Sequence, residues 1–267
     1  PDWIPYRTAY WMPGWGMCLS HRERQSMISG TYRVDIDTAI APGSLTIGEC
    51  LIAGRVQDEF LLSVHCCHPM LGNDNLSAIA VAVELAKWLV ARPRRLSYRI
   101  LFLPGTIGSI TWLAKHRDEL NHVRHGMVMS CLGDPGPIHY KRTRHGDATI
   151  DRAVAVALRD RKKPFAMLDF VPYGYDERQY ASPGFNLPVG CLTRTPNGLY
   201  AQYHTSGDDL TLLDPAALED SLETLKSIVE LVDTNGSPRN LEPFGEPQLG
   251  RRGLYDGLAV KDRPADF

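Results

Sequence analysis

Apolar residues follow two different patterns along the chain. From Phe60 onward, short continuous apolar runs alternate with longer stretches in which apolar residues recur every three or four positions. The first pattern is typical of buried strands and the second of amphipathic helices. Their alternation predicts an α/β fold with a mixed, mostly parallel sheet and helices on both faces. The predicted strands contain FLLSV, YRILFL, MVMSC, AMLDF and LPVGCL, and predicted helices lie within 76–91, 108–116 and 148–159.

The clearest helix signal comes near the end of the chain. Asp214 is placed to cap a helix, Pro215 suits its first position, and Gly236 follows its end. The apolar residues of this segment fall on one helical face, which is expected to pack against the sheet. They are Leu218, Leu222, Leu225, Val229 and Val232.

The two ends of the chain differ from its centre. Residues 1–55 are rich in aromatic residues, Gly and Pro, and contain runs such as TYRVDID and GSLTIGECLIAG that predict a small β-rich segment. We expect the α/β domain to occupy 56–236. Residues 237–267 have neither helical nor strand periodicity and are interpreted as a tail or linker. The aromatic opening stretch leads us to expect a fragment of a longer protein.

Composition narrows the classes of function. The 267 residues are 22% charged with a formal net charge of -2, which gives no electrostatic reason to expect nucleic acid or an acidic membrane as partner. No apolar run approaches the length of a membrane span. The six cysteines form no CxxC pair, which favours reduced thiols and a cytoplasmic location. A small peptide or aminoacyl substrate fits this composition better.

Polar residues that can bind metal follow several of the predicted strands. Imidazole and carboxylate groups are ligands that zinc prefers, and the carboxyl ends of strands in an open α/β sheet meet at one edge. This shared placement favours a metal site over coincidence. The residues concerned are His65, His68, Asp74, Asp134 and His204.

Each of these residues also has an ordinary structural interpretation. Asp74 stands before a predicted helix and could be its N-cap. Asp134 precedes Pro135 and Gly136, as turn residues commonly do. A single histidine in a loop is more often hydrogen-bonded than bound to metal. The metal interpretation therefore depends on all these residues acting together.

Two motifs make the chain resemble a known family. The segment HCCHPMLGNDNLSA, from His65 to Ala78, and the later Tyr203-His204-Thr205 resemble the metal-binding signatures of M28-type zinc aminopeptidase-like proteins. The chain resembles one bacterial branch of these proteins, DUF4910/DUF2172, more closely. This similarity covers nearly the whole chain, from PDWIPYRTAY through YGYDERQYASPGFNLPVG to EPQLGRRGLY.

The resemblance implies a role for each candidate ligand and a content of one or two zinc ions. Asp74 corresponds to the carboxylate that bridges two zinc ions. His65 or His68 completes the shell of the first ion together with Asp134, and His204 holds the second. The two histidines compete for one role, and the sequence does not choose between them.

One position departs from the family pattern. Relatives read P-E-T-I-G-S where this chain has Pro104-Gly105-Thr106-Ile107-Gly108-Ser109, so an expected glutamate is absent. Glycine can neither bind zinc nor transfer a proton. Three outcomes are open: a hydrolase that uses another carboxylate such as Glu177, a pseudoenzyme that keeps the pocket for binding, or a variant of an otherwise active enzyme.

A polar loop supplies candidates for substrate contacts. The segment YGYDERQY contains Asp176 and Glu177, which could receive a free amine, and Arg178, which with Arg194 could bind a carboxylate. Tyr203 is a further candidate. The leading hypothesis is a zinc-dependent amide hydrolase of aminopeptidase type. The alternatives are a silent binding protein with the same fold and a single-zinc aminoacyl cyclase or transferase.

Overall fold

The computed structural model describes residues 2–8, 12, 14–66, 68, 71–236, 239–241, 243–245 and 248–252. The chain divides into two compact units, 1–234 and 235–267. The first unit contains the sheet, its covering helices and every residue of the candidate site. In the second unit, the described residues include one short helical turn, Leu249–Arg252.

A seven-stranded mixed sheet forms the centre of the first unit. Its order is β1-β3-β2-β4-β7-β5-β6, and the four central strands run parallel to one another. The edge strand β1 is antiparallel to β3, and β5 is antiparallel to β7. The strands are β1 (Gly48–Ile52), β2 (Glu59–His65), β3 (Ser97–Leu103), β4 (Val123–Met129), β5 (Ile138–Lys141), β6 (Phe165–Leu168) and β7 (Val189–Thr193).

Helices cover both faces of this sheet. One face packs against α2, α4 and α6 through a large apolar cluster that includes Leu85, Val154 and Val229. The other packs against α3 and α5 through a smaller cluster that includes Trp112 and Tyr180. The helices are α1 (His21–Ser26), α2 (Ala78–Val90), α3 (Ile107–Lys115), α4 (Thr149–Asp160), α5 (Glu177–Tyr180) and α6 (Pro215–Thr234), with helical turns at Gly72–Ser77 and Arg117–His122.

The predicted α/β architecture is confirmed. The buried runs in the centre of the chain form β2, β3 and β4. The last helix also begins as predicted, since the Asp214 side chain accepts the backbone N–H of Ala216 at 2.9 Å. The short strand β5 was not predicted, because four residues between two polar stretches carry too little periodicity to be recognised.

The region expected to be a β-rich segment has a different character. Among its described residues, the strand within 1–55 is β1, and β1 extends the main sheet by pairing with β3. The described residues before it form the short helix α1 and otherwise run mostly exposed. The alternating pattern of GSLTIGECLIAG therefore marks an edge strand rather than a separate sheet. The boundaries 1–55, 56–236 and 237–267 stay predictions.

Within the described parts of the chain, no helix is both long enough and apolar enough to cross a bilayer.

Candidate metal centre

The site is built around Asp74, in the loop that follows β2. Gly72–Ser77 forms an irregular helical turn in which Asp74 and Asn75 leave helical geometry. The helix α2 begins only afterwards, with Ser77 at its N-cap position. Asp74 is therefore not the cap of this helix. Its fully buried carboxylate points toward a group of imidazoles instead.

Asp208 holds this loop in place from a distant part of the chain. Its carboxylate accepts the backbone N–H of Asn73 at 2.6 Å and that of Asp74 at 3.1 Å. Gly72 allows the close approach, because a Cβ at this position would lie 2.9 Å from the carbonyl oxygen of Asp209. Burial raises the pKa of Asp208, and these two backbone hydrogen bonds oppose that rise. Sequence reasoning missed Asp208, whose only signal was its position four residues after His204.

Three imidazoles surround the two oxygens of Asp74. The Nε2 atom of His65 lies 2.8 Å from Oδ1. On the other side, Nε2 of His204 lies 3.1 Å and Nε2 of His68 lies 3.4 Å from Oδ2. Both histidines that competed for one role in the sequence therefore contact Asp74, each through a different oxygen.

These contacts control the charge of Asp74. Burial alone would raise the pKa of its carboxyl group, but the close contacts with His204, His65 and His68 outweigh burial and hold the pKa well below its usual range. The carboxylate is therefore ionised at any physiological pH. A buried anion of this kind needs positive charge beside it, which protonated imidazoles or a cation can provide.

His68, Asp74 and His204 have the arrangement of a metal-binding group. One ligand atom from each residue can be chosen so that all lie within 4.8 Å of one another. Two imidazole nitrogens and one carboxylate oxygen are a donor set suited to zinc, whose catalytic sites commonly use three protein ligands. The residues present therefore fit a divalent cation. His65 lies on the opposite oxygen of Asp74 and is not part of this group.

Neighbouring side chains fix the orientation of His65. The side-chain amide nitrogen of Asn75 lies 3.3 Å from Nδ1 of His65 and donates to the carbonyl oxygen of Met129 at 3.2 Å. Its amide oxygen accepts the backbone N–H of Cys131 at 3.0 Å. Asn75 thereby connects the ends of β2 and β4. The Tyr175 ring stacks on His65 with 4.0 Å between ring centroids.

Two phenol groups complete the wall around Asp74. The Tyr175 hydroxyl lies 3.4 Å from each oxygen of Asp74 and 3.2 Å from the hydroxyl of Tyr203. Tyr203 stacks on His204 at 4.0 Å. Burial, followed by the charge of Asp74, raises the pKa of Tyr203, so its phenol stays protonated. These hydroxyls can act as hydrogen-bond donors. Tyr203 was predicted to contact substrate, which stays a prediction, and Tyr175 was not singled out.

Asp134 lies outside the metal-binding group. Its Oδ1 accepts the Gly136 N–H at 2.9 Å and the Thr195 hydroxyl at 2.5 Å. Its Oδ2 accepts the side-chain amide of Asn73 at 3.0 Å and the Thr195 N–H at 3.2 Å. Both oxygens are thus used to hold a turn, which is the ordinary role expected before Pro135. The structure does not bring Asp134 to Asp74 as the predicted ligand role requires.

Gly105 lies beside His65 at the floor of the site. A Cβ built on Gly105 would lie 3.1 Å from Cβ of His65, 3.4 Å from the ring of Tyr175 and 3.5 Å from Oδ2 of Asp176. The backbone φ of Gly105 is outside the left-handed region. A larger residue can therefore adopt this backbone, provided that His65 shifts by a few tenths of an ångström. The position expected to carry a glutamate thus faces the imidazole cluster.

Asp176 lies immediately behind Gly105. It is fully buried, and its Oδ1 accepts the Ser109 hydroxyl at 2.6 Å. Its Oδ2 has no hydrogen-bond partner among the described residues. Burial raises the pKa of Asp176 to about 6, although the Ser109 hydrogen bond works in the opposite direction. Asp176 is therefore a buried carboxyl group with one oxygen that lacks a hydrogen-bond donor among the described residues.

Glu177 does not join the imidazole cluster. It is buried, forms an ion pair with Lys141, and accepts the backbone N–H of Tyr175 at 3.1 Å. Its carboxylate is thus used to shape the loop that carries Tyr175. This placement runs against the prediction that Glu177 replaces the missing carboxylate, because a base must reach the reacting atoms.

The two arginines expected to bind a carboxylate also lie elsewhere. Arg194 is buried and donates to the carbonyl oxygens of Gly136 and Ala217 and to the carboxylate of Asp220. This network ties α6 to the loop after β4, so Arg194 has a structural role. Arg178 is in α5 and is not among the described residues that line the cavity next to the metal-binding group.

That cavity has a volume of about 270 Å³ and opens beside His68 and His204. Its other walls include residues from the start of the chain, which sequence reasoning did not connect with the site. The Tyr6 ring lies 4.8 Å from the His68 ring and 5.8 Å from the His204 ring. The residues that line the cavity are Tyr6, Arg7, Thr8, His68, Gly105, Tyr175 and His204.

Comparison with known proteins gives a consistent result. A Clostridium acetobutylicum protein described as "Putative polysaccharide biosynthesis protein with aminopeptidase-like domain" is 43% identical over 254 residues, which cover 95% of this chain and 58% of that protein. A crystal structure from the same organism, described as a "putative peptidase", has a TM-score of 0.88 and 43% identity, covering 94% of this chain and 60% of the other. The chain thus spans about three fifths of the length of these relatives.

A more distant structure shares the fold. The zinc aminopeptidase from Bacillus subtilis has a TM-score of 0.59 at 16% identity, covering 72% of this chain and 51% of the other. The sheet, its helices and this similarity define the protein as one with an aminopeptidase-like α/β fold.

Residues 4–235 match the family described as "Domain of unknown function (DUF4910)", and the chain belongs to that family. Residues 237–266 match a winged helix-turn-helix family. The segment interpreted as a tail or linker therefore has sequence similarity to a folded module. Most of it lies outside the described residues.

Proposed function

We propose that this chain is a zinc-dependent amide hydrolase of aminopeptidase type, acting on a peptide or an aminoacyl conjugate with a free amino group. The observation that carries the proposal is the buried carboxylate of Asp74, with His65 on one oxygen and His68 and His204 on the other. The aminopeptidase-like fold of the family and the description of the Clostridium relative support it.

The residues of the site have separate tasks in this proposal. His68, Asp74 and His204 would hold the zinc, which when bound supplies a polarising charge and an acidified water molecule. The hydroxyls of Tyr175 and Tyr203 would donate hydrogen bonds to a carbonyl oxygen that gains negative charge. The Tyr175 ring stacks on the fully buried His65 and excludes bulk water from that imidazole. This exclusion strengthens the electrostatic contact between His65 and Asp74.

Gly105 lowers the rate of amide hydrolysis that we expect from this chain. A carboxylate at this position would stand next to His65, where it could accept a proton from an attacking water. General-base catalysis contributes about 10²- to 10⁴-fold, so a chain with glycine at this position is expected to be slow rather than fast. The same absence favours a second candidate function, a pseudoenzyme that binds an aminoacyl ligand without turnover.

Zinc content and activity on a panel of aminoacyl amides test the proposal together. Protein purified without added metal should contain zinc at one or two ions per chain and should release the free amine slowly. Gly105→Glu should raise the rate by about 100-fold or more, since it supplies the missing proton acceptor. Gly105→Gln is the matched control, because it has nearly the same shape and no basic carboxylate.

The outcomes separate the two candidates. Slow turnover that rises in Gly105→Glu but not in Gly105→Gln supports the hydrolase. Bound zinc without turnover in any of the three proteins supports the pseudoenzyme. A chain that binds no zinc even when the metal is supplied would overturn both.

A further inference from the structure

The N-terminal segment 3–8 is fixed to the loop that carries His204. The backbone N–H of Ile4 donates to the Ser206 hydroxyl at 2.9 Å, and the Ser206 N–H donates back to the carbonyl oxygen of Ile4 at 2.8 Å. The Tyr6 N–H donates to the carbonyl oxygen of His204 at 2.7 Å. Because two of these three bonds join backbone to backbone, the segment keeps a defined position next to the imidazole cluster.

This position makes Arg7 part of the cavity wall. Arg7 is the one residue with a permanent positive charge among those that line the cavity. Within the described parts of the chain, its guanidinium has no ion pair and no hydrogen bond, whereas Arg194 and Arg99 are both held by carboxylates. A guanidinium with free donors can bind a carboxylate through two parallel hydrogen bonds.

A complementary charge lies behind another wall of the same cavity. Gly105 lines the cavity, and the unpartnered Oδ2 of Asp176 lies 3.5 Å from the place where a Cβ of residue 105 would stand. Since glycine has no side chain, Asp176 is separated from the cavity by little more than the backbone and the Tyr175 ring. A buried carboxylate oxygen without a donor gains from contact with an ammonium group.

We propose that the site recognises small zwitterionic substrates of dipeptide size, with the ammonium group toward Asp176 at Gly105 and the free carboxylate on Arg7. This inference rests on the proposed function for the place of the scissile bond. The cavity volume of about 270 Å³ is at the small end for ligand sites, which agrees with a short substrate.

Binding calorimetry on the zinc-loaded full chain at pH 8 tests the inference with three probes. They are leucyl-alanine, its C-terminal amide and its N-acetyl form. The native chain should bind leucyl-alanine at least about tenfold more tightly than either derivative. Arg7→Gln should abolish the preference over the amide and keep the preference over the N-acetyl form. Asp176→Asn should abolish the preference over the N-acetyl form and keep the preference over the amide.

Arg24→Gln is the matched control, because it removes the same charge from an exposed position in α1 that does not line the cavity. It should keep both preferences. Equal binding of the acid and the amide by the native chain, or an unchanged preference in Arg7→Gln, overturns the role of Arg7. An unchanged preference over the N-acetyl form in Asp176→Asn overturns the role of Asp176.

Failure of this inference differs from failure of the proposed function. If the chain contains zinc and hydrolyses aminoacyl amides, yet binds the three probes equally, only the proposed recognition of zwitterionic substrates is overturned. If the chain has neither zinc nor turnover but still distinguishes the probes through Arg7 and Asp176, only the proposed hydrolase function is overturned.

Discussion

Asp74 and Asp233 are both buried aspartates, but they lie at opposite edges of the sheet and have different surroundings. Asp233, near the end of α6, is 9% exposed and accepts the backbone N–H groups of Arg95 and Leu96 at 3.1 and 2.9 Å and the Tyr98 hydroxyl at 3.1 Å. Asp74 is 0% exposed and is surrounded by imidazole nitrogens.

The two aspartates differ in whether their partners always carry a hydrogen-bond donor. Backbone N–H groups and a phenol always carry a proton to donate, so the chain alone satisfies Asp233. A neutral imidazole has one N–H and one lone pair, and the lone pair repels a carboxylate. Nε2 of His204 lies 3.1 Å from this buried carboxylate and has no hydrogen-bond partner among the described residues. The first arrangement holds the fold together, whereas the second is suited to binding.

Exchanging aspartate for asparagine at both positions should separate these roles most strongly. Loss of partners around a metal ligand already weakens metal binding about 10- to 100-fold, so removing the ligand in Asp74→Asn should weaken zinc binding by more than about 100-fold. The metal-free chain should lose little stability, because asparagine can still hydrogen-bond to the imidazoles. Competition with a zinc indicator measures the affinity. Native zinc affinity in Asp74→Asn would contradict the assignment.

Asp233→Asn should give the reverse result. The asparagine amide group would face N–H donors of Arg95 and Leu96, leaving buried donors unsatisfied at a cost of about 2–3 kcal/mol. Urea unfolding in the presence of a chelator measures this loss of unfolding free energy. Zinc affinity should be unchanged. A large loss of zinc affinity would show that Asp233 also supports the metal site, which contradicts a purely structural role.

Asp208→Asn should have an intermediate effect on the metal centre. Asp208 is not one of the metal-binding residues, but its carboxylate holds the backbone N–H groups of Asn73 and Asp74. Its loss should weaken zinc binding by about 10- to 100-fold, as is usual for groups that position a ligand. Competition with a zinc indicator again measures the zinc affinity. A loss as large as that of Asp74→Asn would instead indicate that the loop collapses.

The smallest expected effect is a pH dependence of folding stability. It comes from His125, which lies at the same edge of the sheet as Asp233. Burial, together with the nearby charges of Arg95 and Arg124, lowers the pKa of His125 from its usual 6.5 to about 4. The folded state therefore resists protonation, so stability is lost as the pH falls from about 6.5 toward 4. His125→Gln should remove about 2 kcal/mol of this dependence.

Urea unfolding at pH 7 and pH 4.5 in the native chain and in His125→Gln measures the difference. His21→Gln, at an exposed position in α1, is the control and should keep the native pH dependence. Equal pH dependence in the native chain and in His125→Gln would show that another group is responsible.

Much of this fold could be predicted from periodicity, because buried parallel strands need continuous apolar runs and covering helices need one apolar face. The strand β2 is buried at every position, and α6 buries Leu225, Val229 and Val232 as its pattern predicted. The edge strand β1 could not be assigned to the main sheet in this way, since its alternation fits any sheet with one exposed face.

The sequence by itself determined which residue types could bind metal and that they follow the strands, because strand ends in such a sheet share one edge. It also determined that Gly105 lacks a carboxylate. Only the tertiary structure decided that His65 and His68 share Asp74 through different oxygens and that Asp134 turns away to Thr195. It alone brought Arg7 to the wall of the cavity and placed Asp176 behind Gly105. These decisions depend on packing between segments far apart in the chain, which no local pattern records.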